Sequence, residues 1–361
     1  MSRTRSARNW ACLFAAGLLA AAFNGYGSSS SESGGATSGT RPRTNVGSAV
    51  TAAAAVAPNA TAANPNAAFT VLQKAGLPVV VVTSRPKVNF TVFSDGAVVK
   101  GLTNSNARLI IAKLVPGRDG APDQWASYVY RTETATAGVG PGGKPALASA
   151  AQATTDSNSA SQLVYNNAGY NTYTFSTDIR DSAKTNGVAF EPNRTHRVAI
   201  QLSYKNKAGK TVLVNPYFDF TINANGNAVA VTNSARTRKV VDTGTCNECH
   251  SRLALHGGGR VDTQYCVLCH NSGTTDANSG NVLDLRIMAH KIHFGEKIKE
   301  LFGQTYTIWG NQNSEHDYSE VTYPQPIANC AKCHNGSKKN PAGAQLAAQG
   351  DNWKKVPSRA A

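Results

Sequence analysis

The stretch Cys246-Asn247-Glu248-Cys249-His250 is the first of three copies of one motif, and it determines how the second half of the chain folds. The other copies are Cys266-Val267-Leu268-Cys269-His270 and Cys330-Ala331-Lys332-Cys333-His334. Cys-x-x-Cys-His is the attachment site of a c-type haem, because two thiols at this spacing reach the two vinyl groups of one porphyrin and the adjacent His can bind the iron. We therefore predict three haems c. They would be held by thioethers from all six motif cysteines and by the proximal ligands His250, His270 and His334.

Other uses of paired cysteines explain the pattern less well. Sixteen residues separate Cys249 from Cys266, a spacing found in zinc ribbons, but a ribbon needs no His after each pair and leaves Cys330 and Cys333 without a role. Redox-active pairs would need a thioredoxin-like βαβ pattern, which this segment lacks. Structural disulfides are compatible with an exported protein. A zinc-stabilised binding module stays open as an alternative.

Each haem iron has a second axial position, and the remaining histidines can supply its ligand. His290 and His293 fall in a predicted helix that ends at Gly295, and their i, i+3 spacing puts both imidazoles on one face, where each could bind a different haem. His256 follows His250 by six residues. We predict His256, His290 and His293 as distal ligands, with His316 as a further candidate.

The ligand set bears on function, because iron with two axial His has no open position for a substrate. Such haems carry electrons, so we predict an electron-transfer protein rather than an enzyme. The alternative is a multihaem oxidoreductase in which one haem lacks a distal ligand and reduces a small oxyanion.

Residues 68–235 show β-type alternation and contain no Cys. Strands are predicted over 78–83, 87–93, 107–115, 170–176, 196–204 and 211–222, with turn signals such as Asn225-Gly226 between them. The segment shows no helical periodicity. The Gly- and Pro-rich stretch 138–145, with the residues up to 161, is predicted to be an excursion from the sheets. His196 is expected to be a surface or internally satisfied histidine. The fold class predicted is an N-terminal all-β Greek-key sandwich or barrel, followed by a mostly irregular and helical multihaem cytochrome domain over 236–361.

The N-terminus is predicted to be a signal peptide over 1–23, with three Arg before the uncharged stretch from Trp10 to Phe23. That stretch is too short to span a bilayer, which favours a signal peptide over a membrane anchor. The protein is therefore expected to be exported. Residues 24–67 are rich in Ser, Gly and Ala and are predicted to be a flexible tether. A lipid anchor is not supported, because Tyr26 stands where a lipoprotein would carry its Cys.

The composition excludes several classes of protein. Apolar residues make up 41% of the chain, which argues against full disorder, and no apolar run is long enough for a polytopic membrane protein. The net charge of +15 is concentrated before residue 246 and is compatible with an anionic surface or partner. No nucleic-acid recognition motif is present, so nucleic acid is not expected as a partner.

These residues resemble the OmcA/MtrC-type decahaem c-type cytochromes of metal-reducing bacteria. The resemblance is carried by the run from Leu255 to Cys266, by His290-Lys291-Ile292-His293-Phe294-Gly295-Glu296, and by Ile111-Ala112-Lys113-Leu114-Val115-Pro116-Gly117 in the β domain. It covers roughly residues 70–361. It implies bis-His ligation and electron transfer at the outer membrane or cell surface to extracellular acceptors, either metal oxides or soluble compounds.

The resemblance also implies two partners, a periplasmic multihaem electron donor and an outer-membrane β-barrel. The family has ten motifs where this chain has three. Residues 352–361 are similar to the stretch before the family's fourth motif, so we expect the sequence to be a piece of a longer cytochrome. A terminal metal-reductase activity is a further implication of the resemblance.

Overall fold

A computed structural model of the chain describes residues 45–56, 67–118, 121–157, 159–233 and 236–334. The signal peptide and Tyr26 lie outside these residues. The helices are α1 (Val46–Ala54), α2 (Ala67–Lys74), α3 (Thr243–His250), α4 (Thr263–Cys269), α5 (Leu285–Phe294) and α6 (Glu296–Phe302). The strands are β1 (Val80–Val81), β2 (Lys87–Phe90), β3 (Phe93–Ser94), β4 (Ala97–Val98), β5 (Ala107–Val115), β6 (Gln124–Ser127), β7 (Tyr130–Thr134), β8 (Ser149–Ala153), β9 (Leu163–Asn166), β10 (Tyr170–Thr174), β11 (His196–Lys205), β12 (Thr211–Val214), β13 (Tyr217–Ile222), β14 (Ala228–Ala230), β15 (Thr307–Trp309) and β16 (Glu315–Asp317).

Two antiparallel sheets form the β sandwich that the sequence predicts. One has the strand order β1-β2-β10-β9, and the other has the order β14-β13-β11-β5-β6, with β12 paired to β11. Both sheets contribute to one apolar core, in which Phe90, Leu109 and Phe220 are fully buried. The predicted strand over 211–222 divides into β12 and β13 at Pro216, because proline has no N–H to continue the ladder.

Two short helices correct the sequence-based prediction. Part of the predicted tether forms α1, whose Val50 and Ala54 are buried against Leu72 of α2 and Phe93. The low-complexity composition concealed these contacts, because a helix this short is stabilised by packing rather than by its own propensity. Helix α2 also lies inside the segment for which no helical period was expected.

The predicted excursion is a β-hairpin outside the two main sheets. Strands β7 and β8 pair only with each other, with Tyr130 opposite Ala153. The chain that joins them reaches the motif-bearing segment, where the Ala146 and Leu147 amides donate to the carbonyls of Asn278 and Ala277 at 2.9 and 3.0 Å. The excursion therefore connects the β sandwich to the second half of the chain.

The outer face of the larger sheet packs against α4, the helix that carries the second motif. Ile110 and Ala199 of the sheet and Tyr265 and Leu268 of the helix are fully buried in this contact. As a result, β5 is buried on both faces, whereas a strand at the surface of a sandwich is buried on one.

A buried ion pair lies beside this contact. The guanidinium of Arg197 donates to both carboxylate oxygens of Asp219 at 2.6 and 2.8 Å, and Nη1 donates to the Gln264 side-chain oxygen on α4 at 2.9 Å. The same guanidinium lies 4.5 Å from the ring centroid of Trp125 and 4.4 Å from that of Tyr217. It thereby joins β11, β13 and β6 to the second motif helix.

Within the described part of the chain, no helix has both the length and the apolar character that a membrane crossing requires.

Candidate haem-attachment site

Two of the three motifs lie on capped helices. The Asp242 carboxylate accepts from the Gly244 amide at 2.8 Å at the start of α3, and Asp262 accepts from Gln264 at 2.7 Å at the start of α4. Residues i and i+3 of a helix share a face, so both thiols of each of these motifs lie on one side; His250 is the last residue of α3, and His270 directly follows the end of α4. The third motif forms a single turn instead, with the His334 amide donating to the Cys330 carbonyl at 2.8 Å.

Each motif histidine faces one of the three predicted distal histidines. The ring centroids are 5.9 Å apart for His250 and His293, and 6.0 Å apart for His334 and His290. His256 lies 5.9 Å from His270, so it pairs with the second motif rather than with its neighbour in the sequence. Two imidazoles bound to opposite sides of one metal ion, each through a bond of about 2 Å, have centroids roughly 6 Å apart. All three pairs have this spacing.

Hydrogen bonds select the tautomer of four of these six histidines. Nδ1 of His270 donates to the Leu283 carbonyl at 3.1 Å, since a carbonyl can only accept. His290, His293 and His334 make the corresponding bond to the carbonyls of Arg286, Ala289 and Val240. Each bond leaves Nε2 unprotonated in the neutral ring, with its lone pair available to a metal. Burial also lowers the pKa of His270 and His334, which favours that neutral form.

Helix α5 connects all three pairs. Its first amide, that of Leu285, donates to the His270 carbonyl at 3.0 Å, and Asp284 caps it through the Arg286 amide at 2.8 Å. His290 and His293 lie about one and two turns further along, opposite the third and first motifs respectively. The helix ends at Gly295, whose φ of +42° is a conformation that other residues rarely adopt.

The first motif contacts both of the others. The Thr263 amide donates to Thr243 Oγ1 at 2.9 Å, which joins the N-terminal ends of α3 and α4. On the other side, Lys332 of the third motif forms an ion pair with Glu248 of the first. In space the motifs therefore follow the order second, first, third.

The cleft beside the second motif tests whether a porphyrin suits these residues. Its walls contain Cys266, Cys269, His270 and His256, together with the apolar side chains of Leu255, Leu285 and Met288. The hydroxyl of Tyr265, which is fully buried at the cleft wall, has no hydrogen-bond partner among the residues that the structure describes. An apolar slot between two histidines, with one unsatisfied donor, fits a flat apolar ring that carries polar substituents.

The alternatives considered from the sequence lose support. Burial raises the pKa of Cys266 to about 12 and that of Cys269 to about 11, opposite to the low values of redox-active pairs. All six motif cysteines have free thiols rather than disulfides. Among the residues that the structure describes, no three His, Cys, Asp or Glu side chains converge on a point where a metal ion could be held, so the four thiols of a zinc ribbon are not assembled.

The remaining histidines lie apart from the three pairs. His316 is exposed on β16, with Nε2 3.1 Å from the Ser314 hydroxyl. His196 is fully buried: its Nδ1 donates to the Arg194 carbonyl at 2.9 Å, and its Nε2 accepts from the Tyr128 hydroxyl at 3.0 Å. It is therefore an internally satisfied histidine, which is one of the two alternatives predicted from the sequence, and not a surface histidine.

Sequence reasoning missed several residues around the motifs. Tyr323 packs edge-on against His293 with centroids 5.4 Å apart, and Arg260 lines the second cleft. Both lie in the motif segment, which contains several other aromatic and basic residues, so residue type alone does not single them out. Arg108 comes from β5, and nothing in the sequence indicates that it lies near His256.

Two family models match successive parts of the chain. Residues 59–228 match the OmcA-like N-terminal domain, and residues 238–360 match domains II/IV of the outer membrane cytochrome MtrC/MtrF-like family. Both models describe OmcA/MtrC-type outer-membrane cytochromes, and together they support that family for this chain. This finding confirms the resemblance, and the matched β domain followed by a cytochrome domain agrees with the predicted fold class.

One curated relative and the crystal structure of OmcA agree with this assignment. The curated "Multiheme cytochrome MtrC" of Shewanella baltica (strain OS185) is 30% identical over 132 residues, which is 35% of this chain and 18% of that protein. The crystal structure of the outer membrane decaheme cytochrome OmcA matches with a TM-score of 0.61 and 27% identity, over 76% of this chain and 40% of that one. The crystal structure of MtrC from Shewanella baltica OS185 has a TM-score of 0.41 and 22% identity, over 76% and 41%. The chain therefore spans less than half the length of the relatives it matches.

Proposed function

We propose that this chain carries electrons through three covalently attached haems c in extracellular electron transfer, with 236–361 as the haem domain and 68–235 as the β domain. The six motif cysteines would form the thioethers. His250, His270 and His334 would be the proximal ligands, and His293, His256 and His290 respectively the distal ones. The observation that carries the proposal is the spacing of about 6 Å in all three histidine pairs.

The histidine pairs also favour electron transfer over reduction of a small oxyanion. Bound haem supplies the reversible Fe(III)/Fe(II) couple. Because each motif histidine faces a second histidine, the two would hold a haem iron from both sides and would leave no position for an oxyanion. Donation from Nδ1 to backbone carbonyls holds four of the imidazoles in place, which resists ligand exchange when the charge on the metal changes.

The contacts between motifs support a definite order for electron movement. The first motif touches the second through Thr243 and Thr263, and the third through Glu248 and Lys332. Helix α5 supplies ligands to both the first and the third site. Electrons entering at either end of this row would pass through the site of Cys246 and Cys249.

Family membership supports a place for this function at the cell envelope. The matched relatives are outer-membrane cytochromes by name. We propose export by residues 1–23, a periplasmic multihaem donor and an outer-membrane β-barrel as partners, and metal oxides or soluble compounds as extracellular acceptors.

The test is to remove one distal ligand. A pyridine haemochrome assay on the mature chain should give three haems for the unaltered protein and for His293→Ala, because the thioethers do not depend on the distal side. In His293→Ala, one third of the low-spin absorbance should become high-spin, and one carbon monoxide should bind per chain. The matched control, His316→Ala, should leave the spectrum unchanged.

Two results would refute the proposal. Fewer than three haems in the unaltered chain would remove the cofactor assignment. Three haems with carbon monoxide binding before any substitution would show an open iron and favour the oxidoreductase.

A further inference from the structure

A polar groove adjoins the cleft of the second motif. The two share His256 and Arg260 in their walls, and the groove continues over Arg108, Gln201 and Ser203 on the sheet. The apolar slot between His256 and His270 therefore has one polar side, and that side is built from the β domain and the motif segment together.

The groove contains two guanidinium groups without a counter-charge. Arg260 donates from Nε to the neutral Gln201 side chain at 3.2 Å, and neither Arg260 nor Arg108 forms an ion pair with a carboxylate of the described residues. Lys332 of the third motif, by contrast, is paired with Glu248. Two like charges in one groove repel each other, so an anion there would stabilise this arrangement.

The Tyr265 hydroxyl is an independent sign of a missing acceptor. This side chain is fully buried in the cleft wall, next to Cys266, and its hydroxyl has no partner among the described residues. A buried hydroxyl without a hydrogen bond destabilises the fold, because it has given up its hydrogen bonds to water. Its ring lies 5.8 Å from the guanidinium carbon of Arg260, and both residues line the same cleft.

We propose that Arg260, Arg108 and Tyr265 bind the propionate carboxylates of the haem attached to Cys266 and Cys269. The inference rests on the proposed function. A porphyrin of this class is apolar over most of its area and carries two carboxylates on one edge, which matches an apolar slot with a cationic side. Guanidinium groups suit carboxylates because they donate two parallel hydrogen bonds.

The arrangement has a consequence for the reduction potential. Positive charge near the iron favours the form that has gained an electron, so Arg108 and Arg260 raise the potential of this haem. One unit charge at about 10 Å, in an effective dielectric of about 20, changes the reduction equilibrium roughly tenfold. For one electron, tenfold corresponds to ~59 mV.

The test is spectroelectrochemical titration of the haem-loaded chain with Arg260→Gln and with Arg108→Gln. One third of the absorbance change, that of the second haem, should move to lower potential, because its reduction equilibrium constant falls about tenfold. The other two thirds should titrate at unchanged potentials. Arg260→Lys keeps the charge and should restore most of the potential. Arg85→Gln, which removes an exposed arginine outside the groove, should shift nothing. Tyr265→Phe should give a smaller shift in the same direction.

The outcomes separate this inference from the function on which it rests. Three haems with potentials unchanged in both Gln variants would overturn the inference and leave the function standing. Absence of a haem from the second motif of the unaltered chain would overturn both the inference and the proposed function. A free anion is the other possible occupant: in that case, inorganic phosphate at constant ionic strength would shift the potential of the unaltered chain, and that result would also overturn the inference.

Discussion

Removal of the negative partner from the buried Arg197–Asp219 pair should be among the most damaging substitutions in the β domain. The two residues lie opposite each other on β11 and β13, and their side chains are 1% and 8% exposed. Asp219→Asn keeps the shape of the side chain but leaves the guanidinium uncompensated among Trp125 and Tyr217.

The magnitude follows from the loss of the counter-charge. Breaking a buried ion pair on one side typically costs 3–5 kcal/mol, because a charge is left without solvent or partner. With an m value of about 3 kcal/mol per molar urea, the midpoint of unfolding should fall by roughly 1 M or more. Arg197→Met with Asp219→Asn removes both charges, so the double variant should lose less stability than the sum of the two single variants.

The measurement is urea unfolding of the full chain at neutral pH, followed by far-ultraviolet circular dichroism. Glu320→Gln is the matched control. It removes the carboxylate from an ion pair with Lys299 whose side chains are 57% and 84% exposed, and such pairs contribute at most about 1 kcal/mol.

A loss no larger for Asp219→Asn than for Glu320→Gln would refute the reasoning, since it would mean that water reaches the guanidinium. Strictly additive single and double variants would refute it as well, since the two charges would then be uncoupled.

Three further predictions concern single positions. His196 should make the fold acid-sensitive, because burial lowers its pKa to about 4. The free energy of unfolding should therefore fall by roughly 3 kcal/mol as the pH drops from about 6.5 to 4, where the unfolded chain binds a proton that the folded chain does not. His196→Gln should flatten this dependence in unfolding curves taken at several pH values. Asp284→Ala should lower the thermal stability of the chain by about 1 kcal/mol through loss of the cap of α5, whereas Asp284→Asn should be nearly neutral. Gly295→Ala should cost more than Gly303→Ala in the same assay, because a Cβ at 295 would lie 2.0 Å from the Val321 carbonyl oxygen while one at 303 meets nothing within 4 Å.

Local sequence was informative wherever local chemistry decides the structure. The alternation over 107–115 predicted β5 with its observed bounds, and the Pro216 that interrupts the predicted strand at 211–222 is visible in the sequence. By contrast, α1 lies in a low-complexity stretch. Its helical form depends on the burial of Val50 against residues more than 20 positions away, which no local pattern expresses.

The sequence by itself determined which residues are available for cofactor chemistry, namely three Cys-x-x-Cys-His motifs and five further histidines. The spacing of Cys and His fixes which thiols share a helix face in α3 and α4 and which share one turn in the third motif, because only a few covalently connected residues are involved. Only the tertiary structure decided which histidine faces which motif. His256 is nearer in sequence to His250 but lies beside His270, and His290 and His293 face the third and first motifs. These pairings depend on how α3, α4 and α5 pack on one another and on the sheet, and contacts between distant residues have no signature in the local sequence.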